Sequence, residues 1–158
     1  MKRVLDPLAL RPDALKGLDH RLYKKRLADY VATDADLATL IGYINQLDGP
    51  AVEWDDDRKC YGLKARQHYK SGELVTTYGG TKSVKEIRGD YVAKGGADIY
   101  IDGRVGFKLS EKGRWINESD RDRTIVNVKL GRNVRATRDI AEGEWLFADY
   151  GPDYERNY

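Results

Sequence analysis

Residues Gly143–Gly151 read Gly-Glu-Trp-Leu-Phe-Ala-Asp-Tyr-Gly: an acidic turn, an apolar run, then Asp149-Tyr150-Gly151. A tyrosine held between an apolar strand and a glycine can place one phenol at the mouth of a closed pocket, its body apolar and its tip polar. Taken alone, the stretch reads more simply as a strand ending in a turn with Tyr150 as core. A second unusual stretch lies upstream, Gly113–Asp120, read as Gly-Arg-Trp-Ile-Asn-Glu-Ser-Asp. The order of other signals along the chain decides between the two readings.

Composition sets the bounds. A chain of 158 residues suggests one domain with a small appendage, long enough to bury a core without staples. The single cysteine, Cys60, excludes a disulfide framework and a multi-cysteine zinc site. His20 and His68 lie far apart, in no ligand spacing, so no metal is expected and a histidine dyad is poorly supported. A net charge of +2 is too small to argue for nucleic acid by charge alone. No apolar run approaches a membrane span, and the N-terminus lacks the apolar core of a secretory signal. The expectation is a soluble intracellular chain with no membrane partner and no direct nucleic-acid contact. Eleven tyrosines, three tryptophans and 16 glycines suit short strands, many turns and a packed aromatic core.

The first 50 residues differ from the rest. Leu15, Leu18, Leu22, Leu27 and Tyr30 recur at roughly helical spacing, with Lys16, Arg21, Lys24, Lys25 and Arg26 mostly between them. That basic face reads as solvated, and could otherwise meet an acidic partner. Thr33 with Asp36 resembles a capping arrangement, Leu37, Leu40, Ile41, Ile44 and Leu47 continue at helical spacing, and Asp48-Gly49-Pro50 stops the run. Two helices are expected here. The acidic run Asp55-Asp56-Asp57 sits in a loop before the first strand and, with no second cluster to complete a metal site, reads as a turn; attraction of a basic peptide is the lesser alternative.

From Val52 onward the pattern is short strands broken by glycines. Tyr61–Ala65 and Glu73–Tyr78 read as strands, the second entered by the turn Lys70-Ser71-Gly72 and ended by Gly79-Gly80. Ser83–Ala93 reads as a short helix. Ile99 and Ile101, a turn at Gly103, then Val105, Phe107 and Leu109 give a hairpin signal. Thr124–Leu130 alternates Val126, Val128 and Leu130 against Asn127 and Lys129; Arg132-Asn133 turns the chain back into Val134–Thr137, and a turn at Ala141-Glu142-Gly143 precedes Trp145–Ala148. Many short strands with tight turns predict a mainly β (α+β) fold of small sheets, not a βαβ sheet, and no phosphate-loop or dinucleotide glycine fingerprint is present.

Four of these segments together resemble the SET-domain family of protein lysine methyltransferases. Cys60-Tyr61-Gly62-Leu63-Lys64-Ala65 is similar to the family's opening Gly-x-Gly-Leu/Val-x-Ala, with cysteine for the first glycine. Lys70–Val75 leading to Tyr78-Gly79-Gly80 is similar to its second segment. Arg114-Trp115-Ile116-Asn117-Glu118-Ser119-Asp120 is similar to Arg-Phe-Ile-Asn-His-Ser-Cys. Ala136-Thr137-Arg138-Asp139-Ile140 followed by Gly143–Gly151 is similar to its closing segment. Each is weak alone; four in order, at family spacing over about residues 58–154, are specific.

The resemblance implies a SET domain over residues 51–158, a β-clip fold with a pseudoknot, preceded by the helical extension 1–50. It implies S-adenosylmethionine on one face, released as S-adenosylhomocysteine, a lysine peptide on the opposite face, and a narrow channel between. Threading of the Asn117 strand beneath the C-terminal segment would bring Asn117 next to Tyr150. Tyr150 and Tyr78 would be the catalytic phenols of the channel. Cys60, Tyr61, Gly62, Arg114, Asn117, Glu118 and Tyr150 would contact the cofactor, while Tyr78, Tyr100 and Tyr154 would contact substrate. Tyr100 and Tyr91 also fit the insert that flanks the cofactor, with core packing the simpler role for Tyr91. A histone tail is the family's commonest substrate, which would place the protein in the nucleus; a ribosomal or other protein is the alternative. The helical N-terminus could guide substrate or form a homodimer.

The sequence also departs from the family pattern. Glu118 stands where histidine is usual, and a buried carboxylate there needs a partner, for which Arg114 or Arg121 is the expectation. Asp120 replaces the cysteine, and Asp122-Arg123-Thr124 replaces the usual Pro-Asn. Cys60, in a glycine position, would be strained if its backbone angle were positive. No cysteine-rich segment follows Gly151, so no zinc cluster is expected there. These departures keep two alternatives open: a SET-fold binding module without turnover, and a β-rich interaction domain with the tyrosines as core.

Overall fold

The computed structural model describes residues 34–84, 92–96, 99–102, 108–120 and 122–151. The expected first helix, Thr33, Tyr91, Gly103, Arg121 and Tyr154 lie outside these residues. Among the described residues one α-helix, α1 (Asp34–Ile44), precedes ten short strands: β1 (Ala51–Asp55), β2 (Cys60–Lys64), β3 (Leu74–Thr77), β4 (Thr81–Ser83), β5 (Val92–Gly96), β6 (Ile99–Asp102), β7 (Asn117–Glu118), β8 (Val128–Lys129), β9 (Asn133–Ala136) and β10 (Phe147–Ala148). They form four small sheets, ordered β1-β2, β10-β7, β3-β9-β8 and β4-β6-β5. The mainly β architecture is therefore as the sequence implies. Among the described residues no helix is long and apolar enough to cross a membrane.

The helix joins the β body through its apolar side. Leu40, Ile41 and Ile44 share one core with Val52, Leu63, Val134, Ile140, Leu146 and Ala148. The helix's last carbonyls are met by the backbone N–H groups of Asn45, Gln46 and Leu47, and the carbonyls of the loop that follows are met by two basic side chains. Arg66 donates to the carbonyls of Asn45, Leu47 and Gly49. Lys112, fully buried, donates from Nζ to Leu47 O at 3.1 Å and Pro50 O at 2.7 Å. Burying an ammonium is costly unless it is hydrogen-bonded in this way.

Several expected elements change. Ala51–Asp55 is itself a strand, paired antiparallel with β2 from Ala51↔Lys64 to Asp55↔Cys60. Asp55–Asp57 makes the expected turn, but as the start of the β1–β2 hairpin turn and not ahead of the first strand: the Asp55 carboxylate accepts the N–H groups of Asp57 and Arg58. The positive backbone angle falls on Lys59 (φ 55°), leaving Cys60 an ordinary strand residue, free of the strain anticipated there. Both ends of the expected helix at 83–93 are strands, since Ser83 closes β4 and Val92 opens β5. β6 is central in its sheet, paired to β4 and β5, with Ile101 and Ala93 buried; the turn and return arm of the expected hairpin, residues 103–107, lie outside the described residues. Of Thr124–Leu130 only Val128 and Lys129 are strand.

The quoted C-terminal stretch passes β2 and then β7. Leu146 N donates to Leu63 O at 2.8 Å, and Ala65 N to Glu144 O at 2.9 Å. Phe147 and Ala148 then pair parallel with Asn117 and Glu118. Ser119 N donates to Ala148 O at 3.0 Å, and the Tyr150 hydroxyl donates to Ile116 O. From the other side Asn127 grips the same stretch: its backbone N–H donates to Phe147 O at 3.1 Å, its amide Nδ2 donates to Trp145 O at 2.8 Å, and its Oδ1 accepts Phe147 N–H at 2.9 Å. This crossing of segments distant in sequence is the expected pseudoknot.

Candidate active site

Two cavities meet at Tyr150. The larger, about 820 Å³, has the hairpin turn on one side, with Asp55, Asp57, Arg58 and Cys60. Its other walls are Asn117, Glu118 and Asp120 of the crossed segment, and Ile125, Trp145, Phe147 and Tyr150. The smaller, about 180 Å³, is lined by Tyr78, Val92, Ala93, Lys94, Leu130, Asp149, Tyr150 and Gly151. Tyr150 is common to both, a partly buried residue that lines each of them.

Asn117 is fixed before any ligand arrives. Its Nδ2 donates to Tyr61 O at 3.1 Å and lies 3.5 Å from the Cys60 sulfur. Gly62 makes this approach possible: a Cβ there would stand 2.9 Å from Asn117 Nδ2 and 3.2 Å from the Trp145 ring. The Tyr61 ring turns to Trp54, packing edge-on at 5.1 Å and 78°, so Tyr61 reaches the site through its carbonyl. Cys60 carries a thiol pushed up in pKa by burial, an effect only partly offset by the Asn117 hydrogen bond; Asp55 raises it further and Arg58 opposes.

Glu118 is buried, and its carboxylate accepts Asp120 N–H at 3.1 Å and the Ser119 hydroxyl at 3.5 Å. Asp120 holds a left-handed backbone (φ 55°), which aspartate tolerates better than most residues. Arg114, buried in the 3-10 turn Lys112–Trp115, sits 5.6 Å over the Trp115 ring and lines neither cavity. Tyr78 is buried and lines the smaller cavity, its backbone held by a hydrogen bond from Tyr78 N to Arg132 O at 2.9 Å. Gly113 seats it: a Cβ there would come within 2.8 Å of the Tyr78 ring and 3.0 Å of its Cα. Tyr100 lies on β6 opposite Ser83 and Lys94, half-buried, in neither cavity.

Sequence reasoning missed Arg58, Trp145 and Phe147 as cavity residues, and missed Asn127 as a clamp. The alternating pattern Val126-Asn127-Val128 put Asn127 on the polar side; instead it is 1% exposed. Its only signal was position: the asparagine expected of a Pro-Asn pair at 122–124 was absent, and Asn127 follows three residues later.

Comparison with protein-family models gives no match, and comparison with curated proteins gives none either. Solved structures do match. One is ATXR5 in complex with histone H3.1 mono-methylated on R26, with 19% identity, a TM-score of 0.52 and coverage of 98% of this chain and 94% of that one. A second is the ATXR5 SET domain with histone H3 di-methylated on R26, with 20% identity, a TM-score of 0.53 and coverage of 98% and 93%. The fold is the SET fold. A third match, polycomb repressive complex 2 of Chaetomium thermophilum, shares 21% identity at a TM-score of 0.52 over 71% of this chain and 16% of that one. Two cavities sharing one C-terminal tyrosine are thus set in a SET scaffold here.

Proposed function

We propose that this SET-fold chain is an S-adenosylmethionine-dependent protein-lysine N-methyltransferase. The observation that carries the reading is Tyr150, which lines both cavities and whose hydroxyl is tied to Ile116 O. A transfer between two ligands held on opposite sides needs such a common wall, with the reacting groups oriented across it.

The residues present fit such a cofactor in the larger cavity. Its size falls in the range that small-molecule sites occupy, about 300–1,000 Å³. Trp145, Phe147 and Ile125 offer apolar surface, and Asn117 and the Glu118 backbone offer fixed polar groups beside it. When bound, the cofactor supplies an electrophilic methyl group on a cationic sulfur. The chain itself aligns and dehydrates the acceptor. The smaller cavity, with Tyr78, Val92, Ala93 and Leu130, suits the aliphatic stem of a lysine, and the two phenols suit its amine. Deprotonating a lysine of ordinary pKa near 10.4 at pH 7 costs roughly 4.6 kcal/mol. A dry channel beside a cation lowers that cost by disfavouring the ammonium. Tyr150 and Tyr78 orient the neutral amine with their oxygens and exclude water with their rings.

A histone tail is the substrate we favour, supported by the histone H3 peptides in the complexes of ATXR5; a non-histone lysine is the alternative. The histone reading carries with it a nuclear site of action. The test is transfer of a labelled methyl group from S-adenosylmethionine to histones and to a total protein extract. Label on a lysine, lost with Tyr150→Phe, supports the proposal. Binding of S-adenosylhomocysteine without label on any protein favours the binding-module reading, which Glu118 in the histidine position motivates.

A further inference from the structure

We propose that Arg58 is a positioning residue for the larger cavity, latching the β1–β2 hairpin turn to the crossed segment; this rests on reading that cavity as the cofactor site. The guanidinium joins three parts of the chain that are far apart in sequence. Its Nη1 lies 2.6 Å from Asp120 Oδ2 and 3.5 Å from Glu118 O. Its Nε lies 3.8 Å from Asp55 Oδ2. Its Cζ stands 4.4 Å over the Phe147 ring. Hairpin turn, end of β7 and β10 therefore converge on one side chain, and every one of these residues lines the cavity.

Both ends of the latch are anchored. Asp55 is buried and spends one carboxylate oxygen on the N–H groups of Asp57 and Arg58, which fixes the turn that carries Arg58. The Asp120 N–H is held by Glu118 Oε2 at 3.1 Å, which fixes the turn that carries Asp120. Deeper in the wall the hairpin is pinned separately, by Asn117 on Tyr61 O. Arg58 is thus the contact that sets how far the turn stands from the crossed segment at the cavity rim. The geometry requires a planar fork that bonds at its edge and stacks on its face, which arginine supplies and lysine does not. The Asp120 side chain is 50% exposed, so solvent screens the ion pair and its share of the effect is modest.

The test is the dissociation constant of S-adenosylhomocysteine for the full chain and four variants, each checked for its thermal midpoint. Arg58→Ala is expected to weaken binding about tenfold, as loss of an ion pair together with a cation–aromatic contact would. Asp120→Asn, which keeps a residue tolerant of the left-handed backbone, is expected to weaken it about threefold. The double variant should bind no worse than Arg58→Ala alone, because the two act as one unit. Arg58→Lys should fall between wild type and alanine. A folded Arg58→Ala within twofold of wild type overturns the proposal, as do additive effects in the double variant. If Arg58→Ala fails to fold, Asp120→Asn and Arg58→Lys decide: both unchanged overturns it. A folded wild type that does not bind the ligand overturns the cofactor reading and this latch with it; binding that ignores Arg58 overturns the latch alone.

Discussion

The phenol of Tyr150 donates its proton to the backbone carbonyl of Ile116, the residue just before the strand that β10 covers. One hydrogen bond therefore ties the tyrosine between the two cavities to the crossing that defines the fold. Tyr150→Phe keeps the ring and loses the tie. Stability should fall by about 1 kcal/mol, the net contribution of one hydrogen bond, visible in a urea titration. Methyl transfer should fall about 100-fold or more, because a displaced orienting group misaligns the acceptor. Activity within threefold of wild type would remove Tyr150 from the proposed chemistry.

Asn127 holds the C-terminal stretch from the side opposite β7. Asn127→Ala removes its two side-chain bonds to Trp145 and Phe147 and leaves a carbonyl and an N–H short of them. A loss of about 2–3 kcal/mol is expected. Asn127→Asp should cost at least as much, since a carboxylate then faces the Trp145 carbonyl with no proton to donate. Denaturant midpoints near wild type for both would show that the clamp is dispensable.

Two glycines separate space from backbone strain. Gly62→Ala forces a methyl against Asn117 and the Trp145 ring, so stability should drop by about 1–3 kcal/mol and S-adenosylhomocysteine affinity should drop with it. Gly72→Ala meets nothing within 4 Å but sits at φ +87°, so it should cost about 1 kcal/mol and leave affinity unchanged. Calorimetry and thermal melts on the pair distinguish the two effects. Equal affinity losses would contradict the assignment of Gly62 to the site.

Cys60 gives a pH readout of the larger cavity. Burial disfavours its thiolate, so the folded pKa lies above that of an ordinary thiol. The reactive thiolate fraction at pH 8 is then smaller than that of a free cysteine, and it grows only as pH rises past the usual thiol range. Alkylation by iodoacetamide, followed by mass spectrometry across pH, should be slower than for unfolded chain and slower still with S-adenosylhomocysteine present. Alkylation at the rate of the unfolded chain would contradict the burial.

Much of the fold was legible because it is written in local pattern. The runs at 61–65, 73–78 and 134–137 alternate or sit between turns, and each becomes a strand close to its expected bounds. The stop at Asp48-Gly49-Pro50 closes α1 within a few residues. What was not legible depends on distant partners. Glu53 and Asp55 make β1 look polar, yet it forms because Val52 packs opposite Leu63. Lys112 belongs to no sequence motif, yet it is buried on carbonyls some 60 residues away. Asn127 reads as outward for the same reason. In the site, ordered motifs pointed to Asn117, Tyr78 and Tyr150, which the structure gathers around the two cavities. Arg58 carried no motif; only its contacts across the cavity single it out.

The most direct test is calorimetry of the purified chain with S-adenosylmethionine and S-adenosylhomocysteine, repeated on Asn117→Ala. The account predicts micromolar binding of both to wild type and loss of at least tenfold in the variant, which removes a polar group fixed beside the cavity. A folded wild type that binds neither ligand would contradict it.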